Sequence, residues 1–480
     1  MAPSDFLPLP DRVSLLQRFK GVALDELPTP AVVIDSSKVS SNCARMQRIA
    51  RDWGCLFRAH IKTHKTREGV LAQVRDGERG KTPLIVSTLA EAWGVLKSGL
   101  IEEAGINDIL YGVPVGVHKI PEILELRNEM AKRGGPSADV KVIIDNIAQV
   151  DVLQKALAPL NAKPIQAFVK IDCGYGRAGL TVNSPSLASL LEAIATSSHV
   201  ALWGLYCHAG HSYGSKSEKD AQDFLSLEVR CINDAAQLAE SILDKAAGDR
   251  SRHRSPLVLS VGATPTAHAA SAGPSSQELQ KLKGLLRGEL ELHAGNYPFL
   301  DLQQMATHAL SSSGPVGHMT IDDCALSVVV TVTSLYPGRS QGEAEGSIAV
   351  SDGKLASHGD EAMIDAGGIA LSKDVGQFEG YGHIVSPPSK VGWMVSKVSQ
   401  EHGILAVRKG TPDQWASEWG LDRLEGQGKT QQVRVGDKVR IIPQHACMVA
   451  AAHHWFFIFD SSLKEESATV QDVWVPWKSW

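Results

Sequence analysis

Two lysines lie close together in the basic segment 58–65, at the end of an apolar run. A lysine amine that is desolvated at the end of a buried strand gives up its proton more readily, and the neutral amine can form an imine with an aldehyde. Lys62 is the better placed of the two, because Lys65 comes three residues later and falls in the turn expected next. The alternative is a basic strand end on a solvated rim, and this segment alone does not separate the two.

A histidine and a cysteine, His445 and Cys447, are separated by one residue near the end of the chain. Residues i and i+2 of a strand point to the same face, and imidazole and thiolate both suit Zn²⁺. Two ligands leave coordination positions open for water or substrate, as a catalytic zinc requires. The spacing is common by chance and does not establish a metal site. Of the nearby His453 and His454, at most one can join, because adjacent strand residues face opposite sides.

Short apolar runs alternate with helix-patterned segments over the first two thirds of the chain, a pattern typical of βα units with a parallel sheet. Eight such runs occur, at residues 56–62, 84–88, 108–113, 140–145, 165–172, 201–207, 257–260 and 289–294. Eight parallel strands with helical returns predict an α/β fold, a closed TIM-like (β/α)8 barrel. Chemistry in this fold takes place at the carboxyl-terminal rim, where Lys62 falls.

The sequence pattern changes after about residue 320, where strand-like runs are separated by turns rich in Gly, Ser and Asp. These runs, at 325–334, 346–350, 391–395, 403–407, 433–442 and 455–459, predict an antiparallel β domain. The early run Ala31–Asp35 precedes the barrel strands, and we assign it to this second domain. The expected organisation is an N-terminal segment contributing to the β domain (1–45), the barrel (46–318) and the C-terminal β domain (319–480). Segments 338–345 and 408–429 are predicted to be long loops.

Glycine-bearing turns follow the last two predicted barrel strands, at 261–266 and 294–297. Backbone N–H groups and the Thr264 hydroxyl can bind a phosphate there. Each turn by itself is equally well an ordinary βα connection. Phosphate sites in such barrels frequently use the loops after strands seven and eight, so the position of both turns favours phosphate binding.

The composition of the chain indicates which kind of molecule it binds and in which cellular compartment it is found. The net charge of -5 is small and no basic block occurs, which argues against nucleic acid and for a small-molecule substrate. No apolar run of about 18 residues is present, so no membrane association is expected. The seven cysteines are scattered without a CxxC pair, and the N-terminus has no secretory pattern. We therefore expect a cytoplasmic protein with free thiols.

Together these motifs resemble the D-serine dehydratase / D-threonine aldolase family, whose barrel is similar to that of alanine racemase. The resemblance covers about residues 29–459, and its best match is 60–65, close to the family's His-x-Lys-Thr-His-Lys. It implies that Lys62 carries pyridoxal 5′-phosphate (PLP) and that Lys65 lies outside the site.

The resemblance also implies roles for other residues. It implies that Arg177 contacts the phenolic oxygen of PLP and that Tyr206 and Tyr213 are tyrosines on the cofactor side. It further implies that the phosphate is bound by Thr264, Gly295 and Asn296, and zinc by His445 and Cys447. For the tyrosines, the alternative is simple packing at the rim. The sequence departs from the family at 365–369, which lacks a lysine common there, and this puts the details of the substrate channel in doubt.

The metal motif distinguishes the family's two activities. Aldolase members resemble His-x-Asp and dehydratases resemble His-x-Cys, so Cys447 favours a PLP- and zinc-dependent D-serine dehydratase that forms pyruvate and ammonia. In that reaction Lys62 removes the Cα proton and zinc makes the β-hydroxyl a better leaving group.

Three alternatives remain at this point. A retro-aldol enzyme would use the same lysine and metal. A racemase needs a second base, commonly a tyrosine of the β domain, and Tyr336 and Tyr381 lie in no recognised motif. A non-catalytic PLP-binding protein would need no metal, so the His-x-Cys motif argues against it. Relatives of this fold imply a head-to-tail homodimer that shares its active sites.

Overall fold

The computed structural model describes residues 9–75, 77, 83–160, 162–247, 255–271, 277–310, 319–341, 354–409, 430–463 and 469–480. Eight parallel strands form a closed barrel, in which each strand pairs with the next and the last pairs with the first. The strands are β2 (Leu56–His60), β3 (Leu84–Val86), β4 (Asp108–Pro114), β5 (Asp139–Ile144), β6 (Ile165–Ile171), β7 (Val200–Cys207), β8 (Leu257–Val261) and β9 (Gly288–Ala294). The predicted barrel is confirmed, with one shift that matters: β2 ends at His60, so Lys62 lies in the following turn.

Helices return the chain between the barrel strands. They are α2 (Ser36–Trp53), α3 (Arg67–Val74), α4 (Leu89–Lys97), α5 (Leu100–Ala104), α6 (Ile120–Gly134), α7 (Ile147–Leu157), α8 (Pro185–Thr196), α9 (Glu218–Ala247), α10 (Thr264–Ala269) and α11 (Gln277–Gly284). Helix α2 begins after Asp35, whose carboxylate accepts the Ser37 N–H, and ends before Gly54 at φ 58°. The expected division at residues 45 and 46 therefore falls inside a helix. Of the described helices, not one combines the length and the apolar character that crossing a membrane requires.

A nine-stranded sheet forms the second domain, in the order β11-β14-β13-β12-β15-β10-β1-β16-β17. Pairing of β10 with β11 closes six of these strands into a ring. Its members are β1 (Ala31–Asp35), β10 (Leu326–Tyr336), β11 (Glu361–Ile364), β12 (Gly382–Ser386), β13 (Trp393–Val398), β14 (Gly403–Val407), β15 (Lys438–Pro443), β16 (Phe456–Phe459) and β17 (Asp472–Trp474). The pairs are antiparallel except for β1 with β16. The strand predicted at 346–350 lies outside the described residues.

The prediction that His445 and Cys447 share a strand is wrong. Strand β15 ends at Pro443, and a helix occupies Ala446–Ala452 (α14). Four of its seven residues are alanine, the best helix former, and the buried Asp301 carboxylate accepts the Ala446 N–H at 2.8 Å. The other described helices are α1 (Arg12–Phe19), α12 (Leu302–Met305) and α13 (Gly368–Leu371).

Four charged side chains fill the barrel interior below the rim. Arg58 is 1% exposed and bonds both carboxylate oxygens of Asp108, at 2.8 and 3.0 Å, and Glu291 at 2.8 Å. Lys141 reaches Asp108 at 2.9 Å. Burial opposes the charge of Asp108, but Arg58 and Lys141 hold the pKa of its carboxyl well below its usual range. Two positive and two negative charges thus balance one another away from water.

Replacing Arg58 with Met is expected to lower the free energy of unfolding by about 3–5 kcal/mol, because Glu291 would be left as a buried charge without its partner. Urea unfolding followed by tryptophan fluorescence measures this change. The matched control is Arg67→Ala, which removes an exposed ion pair with Glu103 and should change stability by less than about 1 kcal/mol. Equal losses in the two variants would contradict a stabilising role for the interior charges.

Candidate active site

Lys62 lies two residues beyond the end of β2, half-buried at the carboxyl-terminal rim of the barrel. In the described part of the chain, no ion pair engages its amine. Lys65 differs, because its Nζ lies 3.1 Å from Oε1 of the fully buried Glu91. The structure therefore binds one amine electrostatically and leaves the other available for chemistry.

The turn that carries Lys62 is attached to both domains through the next residue. The Thr63 hydroxyl donates to the carbonyl oxygen of Gly295 at 2.9 Å, in the loop after β9. The same oxygen lies 3.1 Å from the Cys447 sulfur, in α14 of the β domain. Lys62 thus sits where the barrel rim, the last barrel loop and the second domain meet.

His445 and Cys447 lie together at the start of α14, although not on a strand. Burial alone would lower the pKa of His445, but the hydrogen bond to Cys447 and the carboxylates of Asp301 and Asp374 raise it to about 9. Burial likewise opposes ionisation of Cys447, yet the His445 hydrogen bond and the charges of His445 and Lys62 lower the pKa of the thiol. His445 therefore makes it easier for Cys447 to form the thiolate, which is the form of cysteine that binds metals.

The donors of this pair suit zinc. An imidazole nitrogen and a thiolate are typical zinc ligands, and Nδ1 of His445 is already engaged at 2.7 Å by Asp374. Among the described residues, no group of three or more His, Cys, Asp or Glu side chains is arranged to hold a metal ion. The chemistry of the two donors therefore fits a metal whose remaining positions are open to water or substrate.

The structure brings the three expected phosphate-binding residues together. Thr264 is 1% exposed at the start of α10, and its hydroxyl accepts the Asn296 N–H at 3.1 Å. A Cβ at Gly295 would come within 3.2 Å of the His60 side chain, so the backbone approaches closely there. Asn296 donates to Asp301 at 2.6 Å, which leaves its buried Oδ1 unpartnered.

The two expected tyrosines lie at different depths. Tyr213 lies in a short 3-10 helix at Gly210–Gly214; burial raises the pKa of its hydroxyl, and the nearby Thr264 side chain opposes that rise. Tyr206 lies inside the barrel, 5% exposed and stacked on His293 with ring centroids 4.2 Å apart. Arg177 is on the exposed part of the rim, its guanidinium 5.1 Å from the ring centroid of Tyr175. Of these three residues, only Tyr213 contacts the phosphate-binding loops directly.

Three histidines that the sequence analysis did not assign lie beneath Lys62. Burial above all, together with nearby positive charges, holds the pKa values of His60, His208 and His293 well below the usual range, so the rings are neutral. Nδ1 of His208 donates to the carbonyl of Gly262 at 2.7 Å. The signal that could have found them is the two-residue alternation of strands, since His60 lies two residues before Lys62 and His208 two after Tyr206.

This set of groups fits PLP. Among the described residues, nothing forms a hydrogen bond with Oδ1 of Asn296, Nε2 of His293 or the Ser212 hydroxyl, all of which are buried; this is unusual unless a ligand supplies the partner. Lys62 offers an amine for the aldehyde, and the Gly295 loop offers a close backbone approach for the phosphate. The residues present therefore match an anionic aldehyde with further polar atoms on its ring.

Two family models match the chain. "Alanine racemase, N-terminal domain" matches residues 34–270, and "Putative serine dehydratase domain" matches 325–459. The chain is similar to D-serine dehydratase of Schizosaccharomyces pombe, 37% identical over 98% of this chain and 96% of the relative. It is 31% identical to D-serine dehydratase of Saccharomyces cerevisiae, over 97% and 99% of the two chains.

Solved structures agree with these matches. D-threo-3-hydroxyaspartate dehydratase from Delftia sp. HT23 is 28% identical, with a TM-score of 0.68 over 95% of this chain and all of that one. D-threonine aldolase from Filomicrobium marinum, 21% identical with a TM-score of 0.64, shares the fold. The chain therefore belongs to the D-serine dehydratase family, with a barrel of the alanine racemase type.

Proposed function

We propose that the protein is a PLP- and zinc-dependent D-serine dehydratase, which converts D-serine to pyruvate and ammonia. The observation that carries this proposal is the contact of Thr63 with Cys447. It supports a single site in which the amine of Lys62, one residue from Thr63, works beside the His445–Cys447 pair. The D-serine dehydratases that match nearly the full chain support the same reaction.

The resemblance and the geometry support the following roles in holding the cofactor. Lys62 would hold PLP at its aldehyde, while Thr264, Gly295 and Asn296 would hold the phosphate. Tyr213 would support Thr264, Arg177 would face the phenolic oxygen from the rim, and Tyr206 would support His293 from within the barrel. When bound, PLP withdraws electrons from the substrate Cα, and zinc on His445 and Cys447 acts as a Lewis acid at the β-hydroxyl.

Proton movement is the task of the chain itself. Lys62 Nζ takes the proton from the substrate Cα, and the lack of an ion pair at this amine among the described residues leaves its lone pair accessible. Thr63 keeps the turn in place through Gly295, so that the amine stays near the Cys447 sulfur. The neutral rings of His60 and His208 add no positive charge that would oppose uptake of the proton by the lysine amine.

Zinc is supported by the donor set and by a relative. One solved structure is of a D-threo-3-hydroxyaspartate dehydratase variant, with a cysteine replaced by alanine, in its metal-free form. A metal-free form associated with a cysteine change is what a cysteine ligand predicts. In our proposal Cys447 has that role in this chain.

Assays with and without a chelator test the proposal by measuring pyruvate from D-serine and L-serine, and 2-oxobutyrate or glycine from D-threonine. We expect chelator-sensitive pyruvate from D-serine and none from L-serine. Glycine and an aldehyde from D-threonine, without pyruvate from D-serine, would assign retro-aldol cleavage instead. Cofactor absorbance without turnover of any of the three substrates would favour a non-catalytic PLP-binding protein.

Two wider proposals accompany the reaction. We propose a homodimer, as the resemblance to fold relatives implies, and gel filtration at several protein concentrations tests it. We also propose a cytoplasmic location, supported by the scattered positions of the seven cysteines, which include no CxxC pair. Localisation of a fluorescent fusion tests the compartment.

A further inference from the structure

We infer that Asp374 is a positioning residue that sets the tautomer and the ring orientation of His445 for metal binding. This inference rests on the proposed metal role of His445 and Cys447, and adds a third residue to it. Asp374 lies 71 positions before His445 in the chain and belongs to neither the His-x-Cys motif nor the PLP motif.

The contact defines which imidazole nitrogen is free. Oδ2 of Asp374 lies 2.7 Å from Nδ1 of His445. An ionised carboxylate only accepts hydrogen bonds, so Nδ1 of His445 carries a proton, and Nε2 is the nitrogen that must give up its proton to a metal. The ring nitrogen offered to the metal is therefore Nε2. His445 and Cys447 are two residues apart at the start of α14, so the two proposed metal donors lie next to each other.

The segment around Asp374 is itself attached to the barrel. The Asp374 N–H donates to the Ser372 hydroxyl at 3.0 Å. The next carbonyl, that of Val375, accepts from Gln303 at 2.9 Å. Gln377 donates to the carbonyls of Ser215 and Ala306, at 2.8 and 3.3 Å. These bonds place the carboxylate relative to the barrel mouth, so Asp374 is more than a chance partner at a protein surface.

A site with few protein ligands depends strongly on such orientation. The described chain supplies two donors, and a rotation of the imidazole would leave one. Carboxylates that bond the far nitrogen of a ligating histidine fix the ring and raise its basicity, and their removal typically weakens metal binding about 10–100-fold. A merely structural ion pair would leave the metal affinity unchanged.

The experiment measures zinc affinity of the PLP-loaded enzyme by competition with a chromogenic chelator. Asp374→Ala is expected to weaken zinc binding about 10–100-fold. Asp374→Asn should lose less zinc affinity than Asp374→Ala, because Oδ1 of the asparagine still accepts a hydrogen bond from the Nδ1–H of His445. The absorbance of bound PLP should not change in either variant. Lys373→Ala is the matched control, since this neighbour is exposed and forms no hydrogen bond or ion pair with His445 in the described part of the chain; it should keep wild-type zinc affinity.

The outcomes separate the inference from the function on which it rests. Wild-type zinc affinity in Asp374→Ala, with zinc binding lost in Cys447→Ala, would overturn the positioning role and leave the metal site in place. Equal zinc affinity in the wild type and Cys447→Ala would overturn the metal site, and the inference with it. A lower melting temperature of the Asp374→Ala protein at unchanged zinc affinity would show a structural role only.

Discussion

A Lys62→Ala protein is expected to lose D-serine elimination by about 10³-fold or more and to lose the visible absorbance of lysine-bound PLP. The amine at this position both anchors the cofactor and takes the Cα proton, and a positioned general base by itself contributes about 10²–10⁴-fold. Initial rates of pyruvate formation and an absorbance spectrum of the purified protein measure the two effects.

The structure offers a matched control three residues away. Lys65→Ala should keep the PLP absorbance, because the Lys65 amine is engaged by Glu91 and does not face the cofactor loops. Removing it leaves the fully buried Glu91 without its cation, so a loss of stability is expected in place of a loss of cofactor. The reverse result, with absorbance lost only in Lys65→Ala, would assign the anchor to Lys65.

A Cys447→Ala protein is expected to fall in D-serine elimination by about 10³-fold while it keeps bound PLP. Lewis-acid assistance by a metal is worth several kcal/mol, and about 4 kcal/mol corresponds to a factor of about 10³ in rate. The cofactor should remain because Lys62, Thr264 and Asn296 are unchanged. Pyruvate assays, metal analysis by mass spectrometry and an absorbance spectrum separate these effects.

Cys231→Ala is the control for loss of a thiol, since this half-buried cysteine lies on α9, away from His445. It should retain both metal and activity. Chelator treatment of the wild-type enzyme should reproduce the Cys447→Ala rate, and added zinc should restore the wild type alone. Full activity in a metal-free Cys447→Ala protein would show that elimination needs no metal.

The barrel could be predicted because each of its strands and helices is recognisable from a short stretch of consecutive residues. A strand buried on both sides reads as a short apolar run, and a returning helix reads as a 3.6-residue period, so both are visible without knowing their neighbours. The run at residues 257–260 became β8 (Leu257–Val261), and the run at 289–294 became β9 (Gly288–Ala294). Ring closure followed from the count of eight.

The strand predicted for His445 and Cys447 was wrong, because the contact that starts a helix there comes from a residue distant in the sequence. An apolar strand precedes the pair, and continuing it was the simplest interpretation. Asp301, on the barrel side, instead accepts the Ala446 N–H and allows a helix to start. The two side chains still meet, because residues at the start of a helix can also lie side by side.

The sequence by itself determined the eight barrel strands, the position of the lysine motif at their rim and the chemical types of the candidate metal donors. Each of these depends on residues adjacent in the chain. Only the tertiary structure decided that Glu91 engages Lys65, that Thr63 contacts Cys447 and that Asp374 bonds His445. Pairs of this kind are brought together by packing of whole domains, and no periodicity or spacing in the chain encodes which carboxylate meets which amine or ring.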